Sequence, residues 1–86
     1  MTNLTAEQVE KYLAVKVDSV LTVKDVGYAG FMQWCLKKTN GLPAFNPEVS
    51  EINQMASGSI LSKNISDEVK IDILLKLEKL GVNLFN

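Results

Sequence analysis

Arginine and histidine are both absent from this chain of 86 residues, so all nine of its basic residues are lysine. Without histidine, whose unperturbed pKa lies near neutrality, the usual general base, proton shuttle and imidazole metal ligand are missing together. Without arginine there is no planar fork to grip carboxylate, phosphate or guanine through two parallel hydrogen bonds, and lysine offers a flexible point charge instead. Cysteine occurs once, at Cys35, which excludes an internal disulfide and a zinc cluster. No stretch approaches the roughly 18 apolar residues of a membrane span. The opening Met1-Thr2-Asn3-Leu4-Thr5-Ala6-Glu7 shows no basic region leading into an apolar one, so the chain reads as cytoplasmic, with no membrane association. Strong charge of either sign is also lacking: nine lysines against ten acidic residues leave a net charge of −1. No global field draws in nucleic acid or an acidic membrane, and a partner must be recognised through shape and local patches.

What is present suits a folded domain. Apolar residues make up 47% and charged residues 22%, well outside the disordered range. One domain spanning residues 1–86 is expected, small enough that burial against a partner would add usefully to its stability. The use of lysine for arginine, together with seven asparagines, points to an AT-rich genome, bacterial or phage.

The periodicity predicts an all-α bundle of about four helices. Thr5-Ala6-Glu7-Gln8 forms a capping box, and Val9, Tyr12, Leu13, Val17, Val20 and Leu21 recur at helical spacing after it. Leu13, Val15, Val17, Leu21 and Val23 also alternate with polar or small residues, so residues 13–23 fit a short β element as well. We read a helix to about Val15, with a break near Asp18-Ser19. A second helix starts either after Thr22, capped through Asp25, or at Tyr28, because Gly27 and Gly30 would each cost about 1 kcal/mol inside it. It ends at Lys37-Lys38-Thr39-Asn40-Gly41. Leu42-Pro43-Ala44-Phe45 is a connector. Asn46 then caps a third helix with Pro47 at its first position, Val49, Ile52 and Met55 facing inward, and a stop near Ser57-Gly58-Ser59 before a polar stretch to Asn64. The fourth helix is marked by Ser66 as cap, Asp67 and Glu68 in its first turn, Lys76 and Lys79 near its end, and Gly81 with Val82 set for a Schellman motif on Leu77. Val69, Ile73, Leu77 and Leu80 share an arc of roughly 80°, the expected core stripe. Ile71, Leu74 and Leu75 fall on another side.

No catalytic site is expected. Cys35, within Phe31-Met32-Gln33-Trp34-Cys35-Leu36, lacks an activating base and reads as a small buried hydrophobe. The pairs Glu7 with Glu10 and Asp67 with Glu68 sit in first turns, where the helix dipole accounts for them. The glycines do not form a phosphate-binding loop, and neither a cofactor nor a metal site is indicated. The stretch from Gly58-Ser59-Ile60 through Ile65-Ser66-Asp67-Glu68 to Leu77-Glu78-Lys79-Leu80-Gly81-Val82-Asn83-Leu84-Phe85 resembles the C-terminal third of phage repressor-type helix-turn-helix domains. That resemblance covers a scaffold helix and no DNA-contacting residue. Leu4 to Leu13, with Asp18, Ala29 and Thr39-Asn40-Gly41, is similar in spacing to the opening of small helical phage head-to-tail connector proteins.

The functional expectation is a non-enzymatic protein–protein interaction module of phage or mobile-element origin, acting as a homo-oligomer or as a small component or inhibitor of a larger assembly. The alternative is a helix-turn-helix DNA-binding regulator, which the missing arginine and basic patch disfavour. Five residues are candidates for partner binding. Ile71, Leu74 and Leu75 form the second apolar side of the last helix, where an open patch would invite association. Tyr28 and Met32 share one face of the aromatic and methionine group that also holds Phe31 and Trp34, and bulky residues of these types favour interface centres.

Overall fold

The computed structural model describes residues 4–43, 46–58 and 65–85, the last four residues of the third helix by backbone only. It is a small all-α bundle of four helices: α1 (Ala6–Leu13), α2 (Tyr28–Thr39), α3 (Pro47–Gly58) and α4 (Asp67–Lys79). In packing, α4 lies against both α1 and α3, and α3 lies against α2. No helix among the described residues is long and apolar enough to cross a membrane.

Helices α1, α3 and α4 begin where a short polar side chain accepts from a free amide of the first turn, whereas α2 has no side-chain cap. Thr5 and Gln8 close the expected capping box: the Gln8 amide donates to Thr5 Oγ1 at 3.1 Å and the Thr5 amide to Gln8 Oε1 at 3.0 Å. Asn46 Oδ1 accepts from the Glu48 amide at 2.9 Å, and Ser66 Oγ from the Val69 amide at 3.2 Å. The end of α4 is a complete Schellman motif. Gly81, at φ +89°, donates to the Glu78 carbonyl at 2.9 Å, and Val82 donates to the Leu77 carbonyl at 3.0 Å.

Between α1 and α2 the chain departs from the expected helix to Val15. The first helix stops at Leu13 with Ala14 as its C-cap, and residues 15–23 fold back on themselves. Val23 donates to the Val15 carbonyl at 2.8 Å and Val17 to the Leu21 carbonyl at 3.0 Å, around an antiparallel bridge between Lys16 and Thr22. The alternating pattern thus prevails over the helical one, since the turn at Asp18-Ser19 lets Val15 and Val23 both enter the core. Thr22 and Asp25 do meet, Oγ1 to Oδ2 at 3.2 Å. They close a single turn ending at Val26, and α2 starts at Tyr28 with Gly27 as its N-cap.

The core gathers Leu13, Val15, Val23, Val26, Phe31, Trp34, Cys35, Ile52, Ile65, Ile71, Ile73, Leu74, Leu77 and Leu84. Val49 and Ile52 face inward as expected. The Met55 side chain, the Ala44-Phe45 half of the connector and the Ser59–Asn64 stretch lie outside the described residues.

Candidate interaction surface

The position of the hairpin over α2 depends on a residue that the apolar pattern disguises. Lys70 is buried to 3% exposure in the first half of α4. Its Nζ donates to the carbonyls of Val23 at 2.6 Å and Val26 at 2.8 Å, with Lys24 more distant at 3.4 Å. The ammonium also lies 5.8 Å from the centre of the Phe31 ring. Burial pulls its pKa below the ordinary value, against the favourable charges of Asp67 and Asp25. An ammonium has three donors and no acceptor, so a cluster of carbonyls at the end of a turn suits it. Lys70 thereby ties α4 to the joint between hairpin and α2.

The hairpin tip is held by Asp18. Its Oδ1 accepts from the amides of Leu21 at 2.6 Å and Val20 at 2.7 Å. These bonds, the Leu21 one foremost, hold its carboxyl below the usual carboxylate range, with Lys16 adding to the effect. The tip so fixed stands beside α2 and leaves a groove of about 300 Å³, bounded by Val17, Asp18 and Leu21 on one side and by Gly30, Gln33, Trp34 and Lys37 on the other, with Val26 also lining it. Gly30 keeps this approach open, because a Cβ at this position would lie 2.7 Å from Val26 Cγ2 and force that side chain to shift.

Among the described residues the large hydrophobics left exposed are Val20 (77%), Leu36 (51%), Phe85 (45%) and Leu21 (38%). Phe85 is engaged by its own fold. Its ring centre lies 5.6 Å from that of Tyr12 and 4.7 Å from Lys11 Nζ, while Tyr12 donates to Glu78 at 2.5 Å. Val20, Leu21 and Leu36 remain: two at the hairpin tip and one on α2, one turn beyond Gln33 of the groove. No family model matches the chain, and no curated protein or solved structure shows significant similarity to it.

The sequence-derived candidates divide. Ile71 and Leu74 are buried in the core and offer no open patch, and Leu75 is half-buried against it. The physical reason is the placement of α4 between α1 and α3, which covers both of its apolar sides. The buried arc is centred on Lys70, Ile73, Leu74 and Leu77, rotated by roughly 50° from the expected stripe, so Val69 and Leu80 sit at its edge, half-buried. Tyr28 and Met32 are half-buried against the core from α2. Spaced four apart with Leu36, they continue along one side of α2 toward its exposed end. Lys70 was findable: it stands at i relative to Ile73, Leu74 and Leu77 at i+3, i+4 and i+7, a core position occupied by a charge. Leu36 and the hairpin tip carried no comparable signal.

Cys35 is fully buried, and burial pushes its thiol pKa up to about 12. Among the described residues no group of three or more acidic or cysteine side chains is placed to hold a metal ion.

Proposed function

We propose that this protein is a small cytoplasmic protein–protein interaction module that binds through the hairpin tip and the adjoining side of α2. The observation that carries the reading is a preformed groove lined by exposed Leu21, next to a hairpin tip that also exposes Val20 and a helix that exposes Leu36. Single exposed apolar residues are ordinary, but neighbouring ones beside a concave feature, as Val20 and Leu21 are, mark a binding surface. Tyr28 and Met32 precede Leu36 at four-residue spacing on the side of α2 turned away from Gly30, Gln33, Trp34 and Lys37, so they do not line the groove. Ile71 and Leu74, being core residues, would act only by keeping α4 in place.

A photo-crosslinking residue substituted at position 36 of the full chain, compared with one at exposed Glu10 on α1, tests this in expressing cells. A discrete adduct from position 36, absent from position 10, is the expected outcome. Equal or absent adducts at both positions would contradict it. The DNA-binding alternative requires retardation of mixed-sequence duplex at low salt, lost steeply as salt is raised.

A further inference from the structure

Charge around the groove is uneven. Lys37 lines it, and Lys38 Nζ lies 5.7 Å from the ring centre of Trp34, which forms its wall. Lys16 is close enough to Asp18 to lower the carboxyl pKa. Helix α2 contains no acidic residue at all. The carboxylate at the groove, Asp18, already accepts two backbone amides through Oδ1. By contrast Lys76, on the far helix, pairs with Glu51 at 3.3 Å and with Asp72 at 3.9 Å. Among the described residues no such ion pair involves Lys16, Lys37 or Lys38. The groove therefore combines an apolar wall with an α2 rim carrying Lys37 and Lys38, which form no ion pair among the described residues, opposite the single carboxylate of Asp18.

We infer, resting on the interaction-module reading, that the groove takes a short amphipathic segment of a protein partner, with large apolar side chains entering between Leu21 and Trp34 and carboxylates facing Lys37 and Lys38. Complementary charge at the rim steers such a segment and excludes basic competitors, while the apolar contacts supply most of the affinity. A small molecule fits less well. The volume is at the lower end of the range for such sites, and the exposed side chains of Val20 and Leu36 would stay uncovered. A second copy bound through the same face would, by two-fold symmetry, set this basic rim against itself.

Selection of random peptides of about a dozen residues on the immobilised full chain tests the inference. Enriched peptides should carry at least two large apolar residues and an excess of Asp and Glu, and the double variant Lys37→Glu, Lys38→Glu should weaken them by about tenfold or more. Enrichment of neutral or basic peptides that still lose binding in Leu21→Ser would overturn the acidic partner and leave the interaction module standing. Failure to enrich any peptide would overturn the inference. If the chain then proves dimeric by light scattering, and Leu36→Gln makes it monomeric, the occupant is a second copy. A monomer that also gives no adduct from position 36 would remove both readings.

Discussion

At the scale of single residues, Lys70 shows how a charge can occupy a core position. Removing an ammonium from water is expensive, and the carbonyls of Val23 and Val26 at short distance offset that cost only in part, which is why the pKa falls. The native protein then releases this proton at lower pH than the unfolded chain does. Between the lowered value and the ordinary 10.5, the unfolded chain holds more protons, so Lys70 makes stability rise with pH in that window. Below it, the cost of the buried charge is present in full. Lys70→Met removes that cost but leaves the carbonyls without their donor, and a net loss of about 1–3 kcal/mol is expected at neutral pH. Urea unfolding of both proteins across the alkaline range should show the gap widening; a variant as stable as the parent would mean that the carbonyls find other donors. Asp18 has the opposite sign. Its depressed pKa means that its hold on the hairpin tip is present above the ordinary 3.8 and is lost as pH falls through the folded-state value. The protection of the Val20 and Leu21 amides against exchange, relative to their intrinsic rates at each pH, should fall under acid, and Asp18→Ala should show the low protection already at neutral pH.

At the scale of elements, how much the sequence reveals depends on whether a segment's fate is decided locally. Caps are local. Thr5, Asn46, Ser66 and Gly81 each hydrogen-bond within a few residues, and the helix ends they mark were legible. Which side of α4 faces the core is a tertiary matter. With apolar residues nearly all round, only its position between two other helices decides that Ile71 and Leu74 are covered while Val69 and Leu80 sit at the edge. Residues 13–23 satisfied two periods at once, and the pairing of Val15 with Val23 resolved them. The groove was not legible, because it forms between a hairpin and a helix that meet only in the folded chain. Leu77→Ala should cost about 2–5 kcal/mol, since the side chain is fully buried in α4. A loss below about 0.5 kcal/mol in chemical denaturation would instead indicate a surface site. Gly30→Ala is a sharper test of packing. In an open helix it would stabilise by up to about 1 kcal/mol, but the new Cβ meets the stiff Val26 side chain at 2.7 Å. A net loss of about 1 kcal/mol is expected, and a gain would show that Val26 can retreat.

At the scale of the whole molecule, the bundle buries both apolar sides of α4, engages Phe85 with Tyr12 and Lys11, and still leaves Val20, Leu21 and Leu36 in solvent. If those side chains serve binding and not folding, stability and association must respond separately to their removal. The most direct measurement is the yield of photo-crosslinked adduct from position 33, inside the groove, in the double variant Val20→Ser, Leu36→Gln, with its unfolding free energy measured on the same sample. Stability should stay within about 0.5 kcal/mol of the parent, as for other surface substitutions, while the adduct is lost. An adduct of undiminished yield, or a loss of several kcal/mol in stability, would contradict a binding role for these side chains.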